Sequence, residues 1–231
     1  MRLLVILLLA TAVLAQPVRE WTVDARVSSP IDEMSGLAAS RKYPGVIWTH
    51  NDSGDKARIF AINRQGKILG EHRIEGAGNS DWEDIACDDG KLYISDLGNN
   101  SNKRKDLAIY VVDEPAPEGN DPITRFTRWP VAFPEQDKKP EYDCEALFVA
   151  DGTVYVLTKE RALWLKQKVP GRAARLYRLD TRYTDRVNQL TLVERRTGLG
   201  GWVTAADLSP DGKTLAVLCH RPVPSLWLFE R

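Results

Sequence analysis

Short runs of alternating apolar and polar residues fill most of the chain, and they come in a recurring order. Asp84-Ile85-Ala86-Cys87 and Leu92-Tyr93-Ile94-Ser95-Asp96 flank Asp89-Gly90. Two apolar runs around Asp-Gly predict two antiparallel strands joined by a tight turn. The pattern returns at residues 145–159 around Asp151-Gly152 and at 206–218 around Asp211-Gly212. A looser copy runs from Ser35-Gly36-Leu37 to His50-Asn51-Asp52. A third apolar run follows each hairpin, at 57–63, 107–113, 174–180 and 225–230. Outer fourth strands are predicted at 67–74, 125–133 and 190–195.

The anchors Leu37, Ile85, Leu147 and Leu208 are spaced by 48, 62 and 61 residues. Periods of that length with several strands each predict an all-β fold, a β-propeller with four visible blades. The blades fall at 34–74, 82–133, 142–195 and 204–231, with an insertion at 161–172 in the third. Blade four stops at its third strand. Either a leading strand at 20–27 supplies the missing one and closes the ring, or the chain is cut short relative to a five- or six-bladed ring. The second is the favoured expectation.

Residues 1–15 read differently. Arg2 precedes an apolar run from Leu3 to Leu14, too short to span a bilayer comfortably, and Val13-Leu14-Ala15 offers a cleavage site. This predicts a signal peptide, with residues 16–231 forming the propeller. The mature protein is expected to be secreted or periplasmic, a monomer, and not inserted in a membrane. The 231 residues carry a formal net charge of zero, which argues against a nucleic-acid partner. Lys103-Arg104-Lys105 reads as a solvated basic loop. Three cysteines, Cys87, Cys144 and Cys219, lie in or beside strands without zinc spacing. They read as buried thiols, with one bridge plus one free thiol as the alternative.

Candidate chemistry rests on where the acids recur. A polar residue precedes each anchor: Ser35, Glu83-Asp84, Glu145 and Asp207. Others end the second strands: His50-Asn51-Asp52, Asp96, Lys159 and His220. Rotation about a propeller axis brings these to one mouth of the channel. Converging carboxylates suit Ca²⁺, which takes 6–8 oxygens. The expected ligands are Glu83, Asp96, Glu145 and Asp52. The competing reading has each acid capping a turn. His72 and the aromatics Trp48, Tyr93, Tyr110, Tyr155, Tyr177 and Trp227 read as packing. Trp82 and Trp202 read as core or pocket lining. No nucleophile elbow, zinc-protease motif or phosphate loop is present.

The pieces His50-Asn51-Asp52-Ser53-Gly54, Asp81-Trp82-Glu83-Asp84-Ile85, Ser95-Asp96-Leu97-Gly98-Asn99-Asn100 and Glu145-Ala146-Leu147 carry a resemblance. With Asp207-Leu208-Ser209-Pro210-Asp211-Gly212, they resemble a group of exported bacterial β-propeller proteins, over nearly all of the mature chain. In the wider class the chain is similar to phytase-like and gluconolactonase-like propellers, whose divalent metal sits at the channel mouth. The resemblance implies a site near Glu83, Asp84, Asp96 and Glu145. A further inner strand of the group is absent here, which the expectation of a shortened ring accommodates. Two functions follow. One is binding of a small-molecule or protein ligand at the mouth with Ca²⁺. The other is metal-dependent hydrolysis of phosphoesters or lactones, with Asp84 or His50 as the base.

Overall fold

The structure is a computed structural model that describes residues 23, 25–134, 143–159, 174–220 and 224–230. The signal segment and the 161–172 insertion lie outside the described residues.

The described chain is all β, with fifteen strands. Blade one is β1 (Met34–Ala39), β2 (Val46–Asn51), β3 (Arg58–Asn63) and β4 (Ile68–Arg73). Blade two is β5 (Asp84–Asp88), β6 (Lys91–Asp96), β7 (Ala108–Asp113) and β8 (Thr127–Ala132). Blade three is β9 (Cys144–Ala150), β10 (Thr153–Thr158), β11 (Ala174–Leu179) and β12 (Asn188–Arg196). Blade four is β13 (Trp202–Leu208), β14 (Thr214–His220) and β15 (Ser225–Glu230). Each blade is an antiparallel meander. Blades two and three also join at their outer edges, where β8 and β12 pair in parallel over two residue pairs. With β5 and β9 in contact, these eight strands form a nearly closed sheet.

The turns form where the sequence puts them. Asp89-Gly90 and Asp151-Gly152 have φ of 46° and 67°, and 49° and 68°. Positive φ at both central residues matches the right-handed twist of the strands, and an Asp-Gly pair reaches it at least cost. Register follows the alternation. In β7, Ile109 and Val111 pack toward blade three, while Ala108, Tyr110 and Val112 pack toward blade one. A third cluster, including Phe148, Leu157, Val203 and Val217, fills the space between blades three and four. Every predicted packing aromatic but Trp227 is buried, and Trp227 is half-buried. Trp82 is fully buried in the core, with its indole N–H donating to the Gly78 carbonyl at 3.0 Å. All three cysteines are unbridged and buried.

The inner strands are stitched together by Asp84, which is 1% exposed. Its Oδ1 accepts the Ile85 amide at 2.9 Å. Its Oδ2 accepts the Leu147 amide of blade three at 2.8 Å and the Ala206 amide of blade four at 3.3 Å. Ser35 of blade one donates to the Glu83 carbonyl at 2.7 Å. One short side chain and one hydroxyl thus tie four blades around the axis.

Two expectations change. Residues 25–28 form no strand; Val27 packs instead with Ile31, Phe60 and Ile62 on blade one. The remainder of the expected leading strand, apart from Val23, lies outside the described residues. Arg104 is not a solvated side chain. It is half-buried, 2.8 Å from Asp96 and 3.1 Å from Asp106, and it donates to the Gly98 carbonyl at 2.8 Å. The three-residue charge run hid a residue that folds back on a buried acid.

Candidate metal centre at the channel mouth

Inner strands begin, and second strands end, at the same side of the ring. The acids of blades one to three therefore converge there. Asp52 leaves β2, Asp81 and Glu83 lead into β5, and Asp143 and Glu145 lead into or open β9. Two groups each bring their carboxylate oxygens within 4.8 Å of one another: Asp52, Asp81 and Glu83, and then Glu83, Asp143 and Glu145. Glu83 belongs to both. These acidic groups, the first half-buried at Asp52 and Asp81 and the second wholly buried, could hold a metal ion.

Backbone contacts hold the cluster. The Asp81 amide donates to Asp96 Oδ1 at 3.0 Å, and Asp81 accepts the Gly98 amide at its carbonyl at 3.1 Å. Asp143 Oδ1 accepts the Asn99 amide at 2.9 Å, and its carbonyl accepts the Lys159 amide at 2.7 Å. The β6 exit loop thus reaches both groups. Gly98 makes this possible, because a Cβ there would run into the Asp81 and Glu83 carboxylates.

Of the expected ligands, the structure brings Asp52, Glu83 and Glu145 together. Asp96 stands one step back, with its Oδ1 beside Arg104 and on the Asp81 amide. Asp84 has its carboxylate on three backbone amides. His50 is fully buried with its ring edge-on to Trp82, the centroids 5.5 Å apart, and its Nδ1 donates to the Asn51 carbonyl at 2.9 Å. Among the described residues its Nε2 has no hydrogen-bond partner. Asp81 and Asp143 are added. The signal for them was present in the repeat, since Asp-x-Glu precedes the anchor at the same offset in blades two and three: Asp81-Trp82-Glu83 and Asp143-Cys144-Glu145.

The electrostatics are those of acids crowded away from water. Burial pushes the Glu83 carboxyl up to about 9, helped by Asp52, Asp81 and Asp143 and opposed by Lys159. Glu83 is 5% exposed, and its backbone carbonyl accepts the Ser35 hydroxyl. Asp81 is raised by burial and then by Asp52. Asp96 is raised by burial although Arg104 pulls the other way. Burial lowers His50 to about 4, so the imidazole is neutral at pH 7. Lys159 is ion-paired with Glu145 and lies 5.6 Å from the Trp202 ring centroid.

A cavity of about 470 Å³ adjoins the cluster. Asp52, Glu83, Glu145 and Lys159 line its polar side, and Leu37 and Leu218 its apolar side. Asp207 also lines it and is raised to about 6 by burial.

No family model matches the chain, and no curated protein matches it. Among solved structures the chain is similar to the hydrazine synthase of Kuenenia stuttgartiensis, at 16% identity and a TM-score of 0.42. That likeness covers 91% of this chain and 49% of the other, so the chain spans about half the length of that relative. The β-propeller-like fold rests on the blades themselves, with the acid cluster at their shared mouth.

Proposed function

We propose that this chain is an exported β-propeller that holds Ca²⁺ at its channel mouth and uses it to bind a small-molecule or protein ligand in the adjoining cavity. One observation carries the reading: Glu83 is almost wholly buried among four other carboxylates. Carboxylates packed this closely repel unless protonated or bridged by a cation. The donors are all hard oxygens, which favours Ca²⁺ over zinc or copper. Asp52, Asp81 and Glu83, the less enclosed group, would hold the ion. The bound cation supplies charge neutralisation and open coordination positions. The residues around it align the acids, exclude bulk water and offer the ligand Lys159 and an apolar wall. The resemblance to exported bacterial propellers, including the phytase-like and gluconolactonase-like classes, belongs to this same reading.

Isothermal titration of the chelated protein with CaCl₂ tests it. Saturable binding in the wild type that is lost in Glu83→Gln supports the site. No heat from a folded wild-type protein refutes it.

The alternative is a metal-dependent hydrolase of phosphoesters or lactones. The roomy cavity beside the acids favours it, and Asp81, raised by burial, would be the proton acceptor. Asp84 and His50 suit that task less, being held by backbone amides and packed on Trp82. Turnover of a phosphoester or lactone that chelation stops and Ca²⁺ restores distinguishes the enzyme from the binder.

A further inference from the structure

Among the described residues, Lys159 is the cation ion-paired within the two carboxylate groups at the mouth. Lys159 directly follows β10, and its amide is pinned to the Asp143 carbonyl at 2.7 Å. Its ammonium is ion-paired with Glu145, and both side chains are 11% exposed. It also lies 5.6 Å from the Trp202 ring centroid, on the negative face of an aromatic system. Glu145 belongs to the enclosed group with Glu83 and Asp143, all three buried. A positively charged atom therefore already stands in that group, brought there by the backbone rather than from solution. Glu83, 5% exposed, belongs to both groups.

We propose that Lys159 is a tethered cation occupying the second of two metal positions at the mouth, limiting the site to one divalent ion and giving it its selectivity. The inference rests on the reading of a cation at Asp52, Asp81 and Glu83. An ammonium and a divalent ion cannot share the Glu83–Asp143–Glu145 group. Three carboxylates with one Lys in place offer an incoming Ca²⁺ too little charge and one oxygen fewer. Removing the ammonium leaves three buried carboxylates within 4.8 Å of one another, as many as the first position offers and more enclosed, with Glu83 common to both. The position is latent, and the residue that closes it is Lys159.

The test is isothermal titration of the full chain with CaCl₂ after chelation, with thermal melts to verify folding. The wild type is expected to bind one Ca²⁺. Lys159→Met should bind two, or one at least tenfold tighter, and Lys159→Arg should behave as wild type. Glu145→Gln, which leaves Lys159 in the chain, should keep the wild-type affinity within about threefold, because Glu145 already serves the ammonium. That variant decides the matter if Lys159→Met does not fold. The proposal is overturned if Lys159→Met gains neither a site nor affinity, if Lys159→Arg gains the second site, or if Glu145→Gln abolishes binding. A wild type that binds no Ca²⁺ while Lys159→Met binds one ion refutes the metal at the first group but upholds the tethered cation. Absence of binding in every folded variant overturns both.

Discussion

Replacing Glu83 with Gln should make the metal-free protein more stable while destroying its response to Ca²⁺. Glu83 is 5% exposed, and burial raises its carboxyl from 4.5 to about 9. The sign follows from proton uptake. Between those two values the folded protein keeps a proton that the unfolded chain has released. The contribution is fully present below about pH 4.5, declines as pH rises, and is gone above about pH 9. At about 1.36 kcal/mol per pH unit, three units from pH 5 to pH 8 amount to an upper value of about 4 kcal/mol. Sharing of the proton with Asp52, Asp81 and Asp143 reduces this to an expected ~2–4 kcal/mol. A Gln at position 83 does not titrate. The stability difference, Glu83→Gln minus wild type, should therefore grow by that amount between pH 5 and pH 8. For a chain of this size each kcal/mol moves Tm by about 2–4 °C, so the two melting curves should separate by roughly 4–16 °C over that range. Urea melts of both proteins in chelator, at pH 5, 6, 7 and 8, measure it directly. A variant with the wild-type pH slope would refute the reasoning, as would one that still gains stability from Ca²⁺.

Other outcomes follow from the same geometry. Gly98→Ala should weaken Ca²⁺ binding at least about tenfold by calorimetry, because the added methyl meets the Asp81 and Glu83 carboxylates. Asp84→Ala should cost roughly 3 kcal/mol or more in urea unfolding, since it leaves the Ile85, Leu147 and Ala206 amides without their acceptor. His50→Gln should blunt acid unfolding. The imidazole is lowered from 6.5 to about 4, so the stability it allows above pH 6.5 is lost as pH falls through 4, and a Gln removes that slope in melts across this window.

The blades were legible because each one repeats a simple instruction. An anchor, an alternating strand, an Asp-Gly turn and two more strands gave boundaries within two residues for β3, β7, β11 and β15. Period-two burial on both faces leaves little freedom in register, so the pattern alone sets each strand's sides. The site was legible in part. Asp52, Glu83 and Glu145 follow from rotation about the axis, because each sits at a repeated offset near the mouth. Asp81 and Asp143 share an offset too, but they lie on the approach to the strand, where a turn-capping acid and a ligand look alike. Asp84 and Glu83 are adjacent, and alternation sends them to opposite tasks. One carboxylate ties blades together through backbone amides, and the other enters the cluster. The placement of Arg104 against Asp96 was hidden because it depends on how a loop folds back, which charge patterning does not encode.

The most direct measurement is a pair of thermal melts of the chelated full chain, with and without saturating CaCl₂. A ligand that binds only the folded state at a hundred times its Kd adds about 2.7 kcal/mol, which for this chain is a Tm rise of about 5–11 °C. The account predicts a saturable rise in the wild type and none in Glu83→Gln. A cooperative wild-type melt whose Tm does not move with CaCl₂ contradicts it, and leaves the five acids as structural groups.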